Sequence, residues 1–374
     1  MEKDLTQLEI LHLPETYNLT DGHAHRRLTA AEQPIADSLP RLFHETERER
    51  QQELESEYLK AFYGLTRQTI DHNSVRYLFL PSASMSLELV ANYLRLANLD
   101  LALIEPCFDN LANMFKRHKV KLEAFPESYL EETPEVFDEF LHTLRSKAIC
   151  LVTPNNPTGT ALDEAHFGKL VEYCKQHNKL LILDTSFRVY KEDADIFDEH
   201  RLLQESGIDY MVVEDTGKTW PTKELKVSVL AVKDSLFPEV YDIYTDFIYH
   251  HSPFVVELLT KFITLSKSDK LQAVRSVVAE NRRALYKAIE GSFLEHVEKP
   301  FCSVSWLRIN TSLSATELAE KIGTYGVFLL PGYHFFWSDK MAGEKYLRVG
   351  LVRDPDTFAA AMQKLHTALE EIKA

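Results

Sequence analysis

The sequence predicts an α/β protein with a large domain on a mostly parallel sheet, a small α+β C-terminal domain and an N-terminal arm. From about residue 75, short apolar runs alternate with amphipathic stretches, which is typical of βα units. A long helical pattern after Pro253 separates this region from a second group of strand and helix patterns. The first 30 or so residues follow neither pattern. We therefore expect an arm over 1–35, a large domain over 36–270 and a small domain over 271–374.

Six apolar runs predict the strands of the large domain: VRYLFL, LDLALIE, AICLVT, KLLILD, IDYMVVE and KVSVLAV. Between them, segments such as DEAHFGKLVEYCKQH have an acidic start and apolar residues three and four positions apart, as crossover helices do. VVELLTKFITLSKSDKLQAVRSVVAENRRALYKAIEG predicts one long helix ending at a glycine. In the small domain, CSVSWLRIN, VFLLPG and KYLRVGLV predict strands, whereas TELAEKI and DTFAAAMQKLHTALEEI predict helices.

The composition of the 374 residues, 45% hydrophobic and 26% charged, is typical of a soluble globular protein. The net charge of −15 opposes binding to nucleic acid or anionic membranes and favours a cationic or small-molecule substrate. The four cysteines form no C-x-x-C pair, so we expect neither a metal site nor a disulfide framework. The N-terminus is too polar for a signal peptide, and no apolar run approaches the roughly 20 residues of a membrane helix. We therefore expect a cytoplasmic protein.

Short motifs follow the predicted strands at their C-terminal ends, where open α/β sheets bind ligands. Ser82, Ala83 and Ser84 follow VRYLFL and open a helix, so backbone N–H groups and hydroxyls there could bind a phosphate. An ordinary helix N-cap is the alternative. Phe108, after LDLALIE, could lie flat on a cofactor ring, although a core position would also explain it.

The next three strands end in polar residues that suit cofactor chemistry. Asn156 lies in the turn-rich segment TPNNPTG, where its amide can face the pocket. Asp184 ends KLLILD and could pair with a protonated ring nitrogen, unless it is a solvated or capping residue. Asp215 and Lys218 follow IDYMVVE, and Lys226 comes eight residues after Lys218. Lys218 is the candidate nucleophile, because burial beside other cations lowers the pKa of a lysine.

This ordered set resembles the fold-type I pyridoxal-phosphate (PLP) enzymes, the aminotransferase class I/II superfamily, over about residues 75 to 352. The resemblance implies an aspartate aminotransferase-like fold with PLP as the cofactor. The planar guanidinium of Arg348 would suit a carboxylate, although a surface arginine is the alternative. The implied cofactor roles are Schiff-base formation for Lys218, phosphate binding for Ser82, Ala83, Ser84 and Lys226, ring-nitrogen pairing for Asp184, ring stacking for Phe108, hydrogen bonding to the phenolic oxygen for Asn156, and a further contact for Ser186. The resemblance also implies substrate binding by Asn156 and by Arg348, with Arg348 at the α-carboxylate.

Two positions depart from the usual aminotransferase pattern. Phe187 stands where the superfamily often has a tyrosine, and its ring cannot donate a hydrogen bond to the phenolic oxygen. Asp215 stands where a serine or threonine commonly helps to hold the phosphate, which its negative charge would repel. An anion at that position should instead be directed at a cation.

The segments LTQLEILHL, DGHAHR, PCFDN, TPNNPTG, LDTSFR, EDTGKTWPT and LKVSVL resemble a narrower group, the PLP-dependent L-arginine oxidases and hydroxylases of natural-product pathways. The resemblance implies that Glu9 and Asp215 bind the guanidinium, and that Thr6 and Asp21 help the arm to cover the site. It also implies that His23 positions a water or moves a proton. On their own, Glu9 would be an exposed helix carboxylate and His23 a surface residue.

The resemblance implies oxidation of free L-arginine by dioxygen to a 2-keto acid that is 4,5-desaturated or 4-hydroxylated, with release of hydrogen peroxide and ammonia. A conventional aminotransferase acting on a basic amino acid is the rival enzyme. A PLP-binding regulator is the alternative outside enzymes, but the sequence has no helix-turn-helix extension and carries strong negative charge. We expect a homodimer, because sites of this fold commonly lie at a two-fold interface.

Overall fold

The computed structural model describes residues 3–46 and 51–373, so residues 1 and 2 of the predicted arm lie outside it. Its strands form a seven-stranded, a four-stranded and a two-stranded sheet. The strands are β1 Tyr17–Asn18, β2 Val75–Leu80, β3 Leu101–Glu105, β4 Leu122–Pro126, β5 Ala148–Val152, β6 Leu180–Asp184, β7 Tyr210–Asp215, β8 Ser228–Lys233, β9 Leu294–His296, β10 Val304–Ile309, β11 Val327–Phe328, β12 Leu330–Pro331 and β13 Tyr346–Gly350.

The helices surround these sheets, and none of the described helices is both long and apolar enough to cross a membrane. They are α1 Leu5–Leu11, α2 Gln33–Asp37, α3 Leu39–Thr46, α4 Gln51–Thr66, α5 Ala83–Leu96, α6 Asp109–Arg117, α7 Pro134–Leu141, α8 Glu164–His177, α9 Glu199–Ser206, α10 Phe237–Phe247, α11 Pro253–Ser268, α12 Gln272–Ile289, α13 Ala315–Gly323 and α14 Pro355–Lys373.

The seven-stranded sheet has the order β2-β8-β7-β6-β5-β3-β4, and β8 runs antiparallel to both of its neighbours. The other paired strands are parallel, which confirms the predicted α/β class with a mostly parallel mixed sheet. Strands β5, β6 and β7 are buried along their whole length, because helices cover both faces of such a sheet. Parallel strands end at the same edge, so the residues that follow them are brought together there.

The small C-terminal sheet has the order β12-β13-β10-β9 and is antiparallel. The arm is attached beside it, since β1 pairs in parallel with β11. Helix α1 in the arm begins with a capping box, in which Asp4 accepts from the backbone of Gln7 and Gln7 accepts from the backbone of Asp4. The domain boundaries at residues 35 and 270 stay predictions.

The prediction of one long helix after Pro253 is wrong, because the chain forms two helices, α11 and α12. Between them, Lys270 and Leu271 both have positive φ angles of 54° and 63°. Asp269 then accepts a hydrogen bond from the backbone of Ala273, which starts the second helix. Serine and aspartate in the SKSDK segment offer such local bonds in place of helical ones.

One strand prediction was also wrong, and one strand of the large sheet was missed. VFLLPG forms two short strands rather than one, because β11 pairs with the arm whereas β12 pairs with β13. The sequence reasoning missed β4, which pairs only with β3 at the edge of the large sheet. Its residues are only partly buried apart from Phe125 and the exposed Pro126, so the strand has no continuous apolar run.

Candidate active site

A cavity of about 450 Å³ opens at the carboxyl edge of the large sheet, between that sheet, the arm and β13. Almost all of the residues selected from the sequence line it. They are Thr6, Glu9, His23, Ser82, Ala83, Ser84, Phe108, Asn156, Asp184, Ser186, Asp215, Lys218, Lys226 and Arg348. The structure thus brings together residues from both ends of the chain, while their individual roles stay predictions.

Two carboxylates stand at neighbouring strand ends on the floor of the cavity. Asp184 ends β6 and accepts from the backbone and the hydroxyl of Ser186, at 3.0 and 2.5 Å. Burial raises the pKa of Asp184 to about 6, despite these bonds. Asp215 ends β7, and its Oδ1 is buried with no hydrogen-bond partner among the residues that the structure describes. Asp215 thus lines the cavity with a carboxylate of which one oxygen is not satisfied by any described group of the chain.

Lys218 lies in the turn after β7 and reaches the same cavity. Burial of its ammonium lowers the pKa of Lys218, although the carboxylates of Glu9 and Asp215 oppose this effect. The hydroxyl of Tyr190 donates to the Lys218 carbonyl oxygen at 2.5 Å and fixes the turn. A lysine with a lowered pKa supplies the neutral amine that both imine formation and proton removal require.

Lys226, His23 and Glu224 meet at the other end of the cavity. The Lys226 ammonium donates to Glu224 at 2.8 Å and lies 3.4 Å from His23 Nε2. The nearby Lys218 ammonium and burial lower the pKa of His23. At Gly217 a Cβ would lie 2.7 Å from the Lys226 side chain, so the glycine allows this close approach. Lys226 is therefore held at the cavity wall between Glu224 and His23.

Arg348 on β13 is buried and has its guanidinium in the cavity. Nη1 donates to Asn156 Oδ1 at 3.1 Å, and Nη2 donates to Glu9 at 2.5 Å and to the carbonyl oxygen of Thr20. The guanidinium carbon lies 5.3 Å from the ring centroid of Phe108. Phe108 thus contacts the arginine from one side and is open to the cavity, which suits a planar ligand.

The arm covers the cavity through α1, which is anchored at its first residue. Leu5 is fully buried against Trp306, Leu330 and Phe335. Its backbone N–H donates to Asp109 Oδ2 at 3.1 Å. Thr6 and Glu9 follow Leu5 in α1, and the anchor holds both of them at the cavity wall.

Replacing Leu5 with alanine should release the arm. Removal of a buried leucine side chain costs roughly 2–5 kcal/mol, which shifts the docked arm toward the undocked state by at least about 30-fold. Amide hydrogen exchange over Leu5–Leu11 should therefore become faster in Leu5→Ala. Ile10→Ala on the same helix is the matched control, because Ile10 is 59% exposed. Equal exchange rates in the two variants would contradict this anchor.

Asp21 does not lie on the cavity wall, which distinguishes it from the other predicted residues. It is a buried residue of the arm, where it forms an ion pair with Arg353 at 3.0 Å and accepts from the His23 backbone at 2.9 Å. Burial opposes its ionisation, but Arg353 and the bonds from His23 and His25 hold the pKa of Asp21 far below its usual value. Asp21 thus fixes the turn that carries His23.

A buried charged network lies behind the cavity, just after β6 and β7. The Arg188 guanidinium donates to Glu199 at 2.6 Å and to Glu214 at 3.1 Å. Lys191 also donates to Glu199, and His200 lies 3.1 Å from Glu214. All five side chains are buried. Because Glu214 immediately precedes Asp215, the network fixes the strand end that carries the cavity carboxylate.

Replacing Arg188 with methionine should lower the free energy of unfolding by roughly 3–5 kcal/mol, because it leaves buried carboxylates without their partner. Denaturant unfolding followed by circular dichroism measures this change. Arg201→Met is the control, since Arg201 pairs only at the surface with Glu205. A loss in Arg188→Met no larger than in Arg201→Met would show that the network contributes little.

Sequence reasoning missed three residues that shape the site: Glu224, Asp109 and Arg353. Glu224 lines the cavity. Its one signal in the loop sequence is its closeness to Lys226. Asp109 follows Phe108 directly, and the sequence gives no sign that it meets the arm 104 residues away. Arg353 follows directly after the predicted strand KYLRVGLV. The one signal that could have identified it is the need of Asp21 for a partner of opposite charge.

The cavity residues fit PLP, the cofactor implied by the sequence. The N-terminus of α5, with Ser82 as its N-cap, offers free backbone N–H groups for a phosphate, and Lys226 lies on the same wall. Asp184 would supply a buried carboxylate for the pyridine nitrogen, and burial raises the pKa of Asp184 although the Lys218 ammonium opposes this effect. Lys218 would supply the amine for the aldehyde.

Comparison with known proteins gives the same family. The profile of the family described as aminotransferase class I and II matches residues 16–365. An LL-diaminopimelate aminotransferase from Bacteroides fragilis is 21% identical over 266 residues, 65% of this chain and 62% of that protein. One from Phocaeicola vulgatus is 31% identical over 81 residues, 22% of this chain and 18% of that protein. The chain therefore spans less than two thirds of the length of these curated relatives.

Solved structures with the same fold cover nearly the whole chain. The structure of MppP soaked with the product 2-ketoarginine is similar with a TM-score of 0.86 and 31% identity, covering 94% of this chain and 99% of that one. Aspartate aminotransferase from Thermus thermophilus with maleate has a TM-score of 0.80 at 13% identity, covering 99% and 97%. At that identity the likeness shows the fold alone. The profile match over residues 16–365, together with this fold, shows that the chain belongs to the aminotransferase class I and II family.

Proposed function

We propose that this protein is a PLP- and dioxygen-dependent oxidase of free L-arginine that releases hydrogen peroxide and ammonia. The product is a 2-keto acid that is 4,5-desaturated or 4-hydroxylated and serves natural-product biosynthesis, including that of antibiotics. The proposal assigns the α-carboxylate to Arg348 and the guanidinium to Glu9 and Asp215.

The observation that carries the proposal is that Asp215 lines the cavity while its buried Oδ1 has no hydrogen-bond partner among the described residues. A buried carboxylate oxygen with no partner is costly, and a ligand cation would satisfy it. Arg348, in the same cavity, provides a cation for the other end of an amino acid. The similarity to MppP, whose structure was soaked with 2-ketoarginine, supports an arginine-derived ligand.

Bound PLP would supply an electron sink for the carbanion formed at the substrate Cα. Lys218 removes the α-proton, and Asp184 keeps the ring nitrogen protonated. His23 holds a water or moves a proton, since its lowered pKa leaves the ring neutral and able to accept one. The arm, through Thr6 and Glu9, excludes bulk water from the cavity.

Electron balance requires dioxygen at each oxidation. Conversion of arginine to its 2-keto acid consumes dioxygen and water, and gives ammonia and hydrogen peroxide. Desaturation of the side chain removes a further electron pair, which a second dioxygen accepts. Addition of water to the same oxidised side chain gives the hydroxylated product without further oxidant.

The test is incubation of the purified PLP-loaded protein with arginine in air, without any keto acid. We expect dioxygen uptake, peroxide and ammonia, with mass spectrometry showing a 2-keto acid that is two mass units lighter than 2-ketoarginine or carries one added oxygen. The same mixture without dioxygen is the control. Strict dependence on a keto-acid acceptor, with no peroxide, would contradict the proposal.

That contrary result would favour the second candidate, a conventional aminotransferase acting on a basic amino acid. The similar LL-diaminopimelate aminotransferases, which are named for a substrate with two amino groups, favour it. Lysine and arginine would then be converted only when a keto acid is added.

We also propose a homodimer, as the family resemblance implies. Light scattering coupled to gel filtration should give about twice the chain mass of 43.1 kDa. A mass near that of one chain would contradict this proposal.

A further inference from the structure

The guanidinium of Arg348 already binds a carboxylate of its own chain. Nη2 donates to Glu9 at 2.5 Å, across 339 residues of sequence. The Arg348 side chain is 1% exposed and that of Glu9 is 13% exposed, so the ion pair is largely shielded from water. Charged hydrogen bonds are strong in such surroundings.

Glu9 reaches Arg348 because the first residue of α1 is anchored next to the cavity. Leu5 anchors the start of the helix in the apolar cluster with Trp306 and Phe335, and Glu9 comes one helical turn later. Both Glu9 and Arg348 line the cavity. A ligand carboxylate that approaches Arg348 therefore meets Glu9 at the same nitrogen.

We propose that Glu9 is an internal competitor for the carboxylate subsite of Arg348 and thereby selects ligands with a cation at their far end. The inference rests on the proposed function in assigning Arg348 to the substrate carboxylate. When a ligand carboxylate displaces Glu9, the freed carboxylate stays in a cavity that already contains Asp215. A ligand guanidinium gives it a new partner, whereas a neutral side chain leaves it unpaired.

The expected selectivity follows from this exchange of partners. A ligand with a carboxylate but no cation must break the ion pair between Glu9 and Arg348. It then gives Arg348 a new partner but leaves Glu9 without one. Loss of one charged hydrogen bond lowers affinity by about ten- to a hundred-fold. A ligand with both a carboxylate and a guanidinium gives Arg348 and Glu9 a new partner each, and so avoids this loss.

Two unreactive ligands separate the effects, because neither has an α-amino group. Hexanoate has only the carboxylate, whereas 5-guanidinopentanoate has the carboxylate and the guanidinium of arginine. Their Kd values are measured by calorimetry on the PLP-loaded protein, for wild type, Glu9→Gln and Glu15→Gln. Glu15 is exposed on the same arm and makes the matched control.

In Glu9→Gln we expect hexanoate to bind at least about fivefold more tightly and 5-guanidinopentanoate about tenfold less tightly. A purely structural role of Glu9 would weaken both ligands. Leu5→Ala should also tighten hexanoate, because release of the arm withdraws the competitor. Unchanged or weaker hexanoate binding in both variants would overturn the inference.

The two proposals can fail separately. If wild type oxidises arginine but hexanoate binding is tightened in neither Glu9→Gln nor Leu5→Ala, only the competitor role is wrong. If hexanoate binding is tightened but arginine is not oxidised in air, only the proposed oxidase function is wrong.

Discussion

Lys218→Ala should lose at least ~10⁴-fold in turnover of arginine and should not turn yellow with PLP. The substitution removes the amine that would bond to the cofactor aldehyde and also the group that would remove the α-proton, and such combined losses are large. Burial already lowers the pKa of Lys218, which prepares the neutral amine for both tasks. Visible absorbance after incubation with PLP and a peroxide assay measure the two effects.

Lys223→Ala provides the control, because Lys223 is exposed five residues further along the same loop. It should keep both the yellow colour and the turnover. If Lys218→Ala behaved in the same way, Lys218 would have no covalent role, and Lys226 would become the candidate to examine.

Arg348→Lys should raise the KM for arginine by about 10- to 100-fold with a smaller change in kcat. The guanidinium donates through two nitrogens to Asn156, Glu9 and the Thr20 carbonyl oxygen, and a lysine cannot reproduce this planar arrangement. Loss of a charged hydrogen bond to the substrate costs roughly 1.5–3 kcal/mol. Steady-state kinetics by dioxygen uptake measure the change.

Arg308→Lys on the neighbouring strand β10 is the matched control, since its side chain is 47% exposed. Its KM should equal that of wild type. An unchanged KM in Arg348→Lys would mean that the substrate carboxylate binds elsewhere in the cavity.

The fold class and the strand-end motifs could be predicted because both depend on local sequence. A buried parallel strand needs a continuous apolar run, and the polar residue that ends it must lie at the ligand edge. Asp184, Asp215 and Asn156 were found in this way, and all three line the cavity. The edge strand β4 was missed because an edge requires no such run.

Contacts between distant segments could not be predicted from local patterns. The family resemblance implied that Glu9 and Arg348 bind opposite ends of one substrate, whereas the structure places them in direct contact. Likewise, Asp21 was expected to help cover the site but is paired with Arg353 beneath it. Both differences arise from ion pairs between residues that are far apart in the sequence, and local sequence patterns do not predict such pairs.

The ion pair between Asp21 and Arg353 has a mechanical consequence. Arg353 comes three residues after β13, the strand that carries Arg348, and Asp21 comes two residues before His23. The pair therefore couples the histidine to the arginine across the molecule. Any shift of the C-terminal sheet would therefore move His23 and Arg348 together, so that the spacing between these two side chains would be kept.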